Sequence, residues 1–112
     1  MTRRIEATPT FEKNLKRLAR RYRRIREDLE PILDALAAGQ TLGDRIQGAQ
    51  AVVYKVRVPN SDTRKGKSGG YRMIYYLPSD VATVLLTIYS KTDQADIPAD
   101  EIVRILDTEL GS

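Results

Sequence analysis

A chain of 112 residues has room for one domain and not for two, and a hydrophobic share of 41 % is enough for a core and excludes wholesale disorder. There is no cysteine and no histidine, which excludes a disulfide framework, the usual zinc sites and any catalysis built on a thiol or an imidazole. The formal net charge of +4 hides an asymmetry: the balance is +6 over residues 1–28, +3 over 29–92 and −5 over 93–112, a basic body with an acidic tail, which suits a polyanion approached from one side.

Met1 to Thr10 is polar and lacks the apolar centre of a signal peptide. No apolar run approaches the roughly 20 residues of a membrane span. The expected compartment is therefore the cytoplasm, and the missing cysteines fit its reducing conditions. Arg3 to Ala7 is extended, with Ile5 as its large apolar residue, and suits an edge strand. Thr8 then reads as an N-cap and Pro9 as the first helical residue. Phe11, Leu15, Leu18 and Tyr22 recur at helical spacing, and Ile25, Leu29, Ile32, Leu33 and Leu36 repeat the pattern up to Gly39. A helical hairpin is expected, with one long bent helix as the alternative. Gly39 to Gly48 is rich in turn residues.

From Val52 to Val58 the chain alternates, with Val52, Tyr54, Val56 and Val58 on one face and Val53, Lys55 and Arg57 on the other. Pro59 to Gly70 is expected to be an exposed, mobile loop. Tyr71 to Leu77 and Val81 to Tyr89 read as two further strands, joined at Pro78, Ser79 and Asp80. Pro98 opens a last helix, with Asp100 and Glu101 in its first turn and Ile102, Ile105 and Leu106 on its apolar side. The order predicts an α+β fold: a small, antiparallel sheet with helices packed on one face.

The cations of the central strands are the candidate site. Lys55 and Arg57 share a strand face, Arg72 opens the next strand, and Tyr89 and Lys91 close the third. On neighbouring strands these side chains converge on one open surface that suits a phosphate backbone. The same pattern also describes the solvated face of a half-buried sheet. Arg64, Lys65 and Lys67 in the loop, and Arg20, Arg21 and Arg24 in the basic run from Arg17 to Arg26, are further candidate RNA or ribosome contacts. The segment GKSGG lacks the full spacing of a P-loop and does not lead into a helix.

The stretches VYKVRVPNSDTRKGKSGGYRMIYYL and VLLTIYSKTDQADIPADEIVRIL resemble the RelE/ParE superfamily of toxins from type II toxin–antitoxin pairs, and within it the RelE- and HigB-like members. The most specific pieces are YKVR, GGYRMIYY and TIYSK, and the resemblance covers almost the whole chain. It implies one RelE-like domain over residues 1–112: a small twisted sheet with a helical hairpin on one face and a C-terminal helix. It also implies a cognate antitoxin that blocks the active surface, and, for RelE-like members, messenger cleavage in the ribosomal A site. ParE-like members instead inhibit DNA gyrase. Lys55 and Arg57 match the two cations of the RelE strand, and Arg72 matches the arginine of its GYR motif. Thr92 stands where RelE has an arginine, and Pro98 stands where it has a functional tyrosine.

For that reaction a ribose 2′-OH attacks the adjacent phosphate and leaves a 2′,3′-cyclic end, with no metal or cofactor. Arginine stays protonated, so Arg57 and Arg72 are expected to stabilise charge. A lysine among cations loses its proton more readily, which makes Lys55 the expected base and Lys91 or Tyr89 the expected acid. The alternatives are a gyrase inhibitor on the same fold and a module that binds RNA or the ribosome without chemistry.

Overall fold

Thr8 joins the first helix to the sheet. Its Oγ1 accepts from the Phe11 amide at 3.1 Å and donates to the Leu86 carbonyl at 2.7 Å, so the expected N-cap also anchors the helix start. The computed structural model describes residues 2–48, 50–63 and 70–111. In chain order its elements are β1 (Arg4–Ala7), α1 (Pro9–Arg21), α2 (Ile25–Ala37), β2 (Asp44–Arg45), β3 (Val53–Val58), β4 (Tyr71–Tyr76), β5 (Ala82–Ser90) and α3 (Ala99–Leu110). The two apolar stripes form the helical hairpin rather than one bent helix. Tyr22 closes α1 through its amide on the Leu18 carbonyl, in an extended conformation that ends the helix.

The sheet runs in the order β1-β5-β4-β3-β2. The strands joined by short connections, β3, β4 and β5, are antiparallel as expected. β1 is the expected edge strand, but it lies parallel to β5, with Arg4 opposite Ala82. No turn links these two, so nothing in the connection fixes their direction, and the sheet is mixed. The two-residue strand β2 lies within the turn-rich stretch and pairs Asp44 with Lys55. Gly43 makes that pairing possible: its φ is +82°, and a Cβ there would stand 2.1 Å from the Lys55 carbonyl oxygen.

The helices do not share one face. The hairpin packs Phe11, Leu18, Ile25, Leu29 and Leu36 on Val56, Val58, Tyr71, Met73, Tyr75, Leu85 and Ile88. α3 packs Ile102, Ile105 and Leu106 with Val53, Ile74, Val84 and Leu86 on the opposite side. All nine residues of β5 are buried, because this strand lies between the two layers. Such a strand reads as a continuous apolar run and does not reveal that it has two covered faces.

The described start of the expected loop, residues 59–63, is exposed at Ser61 and Asp62 and hydrogen-bonded to the start of α2. Asp28 accepts from the Ser61 amide and Asp62 from the Arg24 amide, each at 2.9 Å, and Asn60 is buried. Among the described residues no helix is long and apolar enough to cross a membrane.

Candidate functional site

The strand register builds one row of side chains. Arg57 stands opposite Arg72, and Arg72 opposite Tyr89; Lys55, two residues from Arg57, stands opposite Ile74. Alternation puts Lys55 and Arg57 on the face of Val53, and Arg72 on the face of Ile74, which is the α3 face. Tyr89 reaches that face because of a bulge. Ile74 pairs with Thr87 and Tyr75 with Leu85, so Leu86 is an extra residue in β5. Leu86 and Tyr89, three apart, therefore belong to the same apolar cluster, whereas a regular strand would place them on opposite faces.

α3 covers the Val53–Ile74–Leu86 end of this face, and the row Arg57–Arg72–Tyr89 lies beyond it, with Tyr89 still packed in the α3 cluster. Of the five side chains expected to converge, Arg57, Arg72 and Tyr89 form a cross-strand row with Lys55 beside it and Lys91 just beyond β5, and they are not equally open. Arg57 is exposed and has no ion-pair partner among the described residues. Arg72 is only 4 % exposed, and one guanidinium nitrogen donates to the Tyr71 carbonyl at 3.1 Å. Tyr89 is equally buried. Lys91 lies just beyond β5; its amide bonds the Gly70 carbonyl at 3.0 Å, and its side chain is exposed at the rim. Gly70 has to be a glycine, since a Cβ there would stand 2.2 Å from the Val58 carbonyl oxygen. The second glycine of the GGYR motif thus brings the loop end close against β3, two residues before Arg72.

Asp96 was not singled out from the sequence, and it ties the site together. Its Oδ1 accepts from Lys55 Nζ at 3.1 Å, from the Ile97 amide at 2.9 Å and, in a longer contact, from the Tyr89 hydroxyl at 3.4 Å. The Ile97 amide first, and Lys55 next, hold its carboxyl below the ordinary range. Burial first, and the Asp96 charge second, push the Tyr89 phenol up to about 12. Tyr89 is therefore a proton donor at neutral pH and not a base. Lys55 has this carboxylate as a charged neighbour in addition to the cations of the sheet.

Three aspartates in the segment DQADIPAD look alike on composition. The usable signal is Ile97-Pro98. Pro98 caps α3 in an extended conformation, and Ile97 before it joins Ile102 in the apolar cluster, a hydrophobic staple that carries Asp96 to the site.

The remaining candidates divide. Arg21 pairs with Asp93 at 3.0 Å and lies over the Tyr22 ring, so it fastens α1 to the segment after β5. Arg24 precedes α2, with its amide on Asp62 and its side chain exposed. Arg20 is exposed beside Lys13, Lys16 and Arg17 on the outer side of α1. This side belongs to the hairpin layer, across the sheet from Arg57. Arg64, Lys65 and Lys67 lie outside the described residues. The acidic tail packs on the basic body in part, through Asp93 on Arg21 and Asp96 on Lys55.

The geometry places an exposed arginine, a buried arginine, a lysine–aspartate pair and a protonated tyrosine at one end of a sheet face. It can hold an anion between like charges and offers a carboxylate beside it. Against this background, residues 5–95 match the family model described as the ParE toxin of the type II toxin–antitoxin system, parDE. The superfamily is the one the motifs point to, although the matching model is that of the ParE toxins rather than the RelE- or HigB-like ones. A cognate antitoxin is the partner that this membership implies. The chain belongs to the ParE toxin family of type II toxin–antitoxin systems.

Proposed function

We propose that this toxin acts on RNA, cutting messenger in the ribosomal A site at the polar end of the α3 face. The observation that carries the reading is the cross-strand row Arg57–Arg72–Tyr89 with Lys55 beside it. Like charges directly opposite on a sheet destabilise it. Arg57 faces Arg72 across the strands, and the exposed Arg57 guanidinium can offer a phosphate charge-assisted hydrogen bonds. Arg57 and Arg72 would stabilise the charge that builds on phosphorus, and Tyr89 would supply a proton to the leaving 5′-oxygen. The ribosome would hold the messenger in line, a proximity effect. The action takes place in the cytoplasm, and the antitoxin silences it by covering this surface.

The family membership supports a second reading, gyrase inhibition, in which the same cations bind a target without chemistry. Primer extension on a messenger in a purified translation system, run beside a gyrase supercoiling assay, separates the two. Cuts that need translating ribosomes, with supercoiling unaffected, are the expected result. Intact messenger together with blocked supercoiling assigns the toxin to gyrase.

A further inference from the structure

The hairpin separates charge between its two helices. α1 carries five cations and one carboxylate, whereas α2 carries one cation and four carboxylates. Within α1 the cations are not spread evenly. Lys13, Lys16, Arg17 and Arg20 follow the spacing of one helical face and fall within an arc of about 100°. Phe11, Leu15, Leu18 and Tyr22 take the opposite side and pack toward the sheet, so the stripe faces solvent.

All four cations are exposed, and none pairs with a carboxylate among the described residues. The acidic groups that reach the two ends of the helix are engaged there with other partners. Glu109 accepts from the Thr10 amide and hydroxyl, and Asp93 pairs with Arg21. Arg26 of α2 lines the same depression as Lys13 and Lys16, together with Glu12, and adds a cation on that flank.

We propose that the α1 stripe is a docking surface for the phosphate backbone of duplex DNA, with Lys13, Lys16, Arg17 and Arg20 as its contacts. The stripe lies across the sheet from Arg57, so this surface is independent of the reading given to the α3 face. Unpaired cations on a rigid helix suit a fixed row of phosphates, and each contact releases counterions from the duplex. From Lys13 to Arg20 the stripe runs about 10 Å, roughly the axial rise of three phosphates along one strand. The carboxylates of α2 repel a polyanion and so set the side of the hairpin from which it approaches.

Other polyanions fit this face less well. Single-stranded RNA stacks its bases on aromatic rings, and the stripe has none; the Tyr22 ring at the helix end packs edge-on against Tyr71. The major groove of B-form DNA admits a helix, which that of duplex RNA does not. An anionic membrane needs an open apolar side below the cations, and here that side is buried in the hairpin core. An acidic peptide is held by apolar anchors as well as charge, and the stripe offers none.

The test is fluorescence anisotropy of a short labelled DNA duplex of arbitrary sequence, titrated with the purified, antitoxin-free full chain at several salt concentrations. Binding is expected with a Kd of about 10⁻⁶ to 10⁻⁴ M at physiological salt and a log–log salt slope of about −3. Lys16→Gln with Arg20→Gln keeps good helix formers at exposed positions, so the thermal midpoint should not move. That double variant should weaken binding about tenfold or more at low salt and make the slope shallower by about 2. Arg45→Gln with Arg104→Gln removes the same charge from exposed positions elsewhere and should change affinity less than about threefold. Duplex RNA, single-stranded RNA and polyglutamate should each compete less well than unlabelled DNA duplex. Absence of binding at low salt overturns the proposal, and so does a stripe variant that binds no worse than the control variant. Equal or better competition by either RNA or by polyglutamate overturns the assignment to DNA.

Discussion

The two faces of the central sheet are built from the same three strands and do opposite work. Toward the hairpin, Val56, Val58, Tyr71, Met73, Tyr75, Leu85 and Ile88 meet five buried helical side chains in one apolar cluster. On this face the Tyr75 hydroxyl donates to the Leu42 carbonyl and accepts from the Leu42 amide. Toward α3 the face is split. Val53, Ile74 and Leu86 are covered by Ile102, Ile105 and Leu106, and the other end carries Lys55, Arg57, Arg72 and Tyr89. One face is an apolar core, and the other divides into an apolar end and a charged end. A sheet covered on both sides can afford a charged end because the remaining interfaces hold it in place.

Substitutions on the two faces should separate accordingly. The largest effect belongs to Leu18→Ala, which empties a fully buried position in the hairpin layer; it should cost about 3 kcal/mol in denaturant unfolding and leave the chemistry of the residual folded protein unchanged. A loss below about 1 kcal/mol would mean that the hairpin is a loose cover rather than the main core.

Much of that core was legible. Thr8-Pro9, the two stripes and the alternation of β3 follow from spacing, since a helix start and a half-buried strand each have a local signature. The convergence of Lys55, Arg57 and Arg72 also follows, once the strands are neighbours. What stayed hidden depends on contacts between distant segments. VLLTIY is apolar but for Thr87 and does not alternate, so it shows neither the bulge at Leu86 nor that Tyr89 thereby turns to the α3 face. The parallel pairing of β1 has no turn to announce it, and the side on which α3 packs is set by its own docking on β5. Asp96 is brought in by Ile97, which looks like one more loop residue until α3 is in place.

An intermediate effect is expected at Tyr89. Its folded-state pKa lies near 12 against an ordinary value of 10.0. A group whose pKa is raised on folding contributes stability that is complete below the unfolded value and is lost as pH rises through the folded one. Wild-type unfolding free energy should therefore fall between about pH 10 and pH 12 more steeply than that of Tyr89→Phe, as read from urea midpoints. Parallel curves would show that the phenol ionises freely and is not held by burial beside Asp96.

The smallest effect is the Lys55–Asp96 pair. Asp96 is mostly exposed, so its contribution to stability is screened by water and by salt. Its carboxyl lies below the ordinary range on folding, so that contribution is present above the unfolded value and is lost as pH falls through the folded one. Asp96→Asn should cost less than about 1 kcal/mol at neutral pH, less again in high salt, and nothing in strong acid. A difference that persists in acid would place the role of Asp96 in packing rather than in charge.

On the reading proposed above, the Arg57–Arg72–Tyr89 end of the α3 face works on RNA, and Arg57 there contributes little to the fold. Arg57→Ala tests it most directly, because Arg57 is exposed and has no ion-pair partner among the described residues, whereas Arg72 is buried and its removal also disturbs packing. The measurement is single-turnover messenger cleavage on programmed ribosomes, with thermal unfolding of the same preparation. The account predicts cleavage lowered about 10²-fold with stability within about 0.5 kcal/mol of wild type. Wild-type cleavage by a folded Arg57→Ala protein would contradict it.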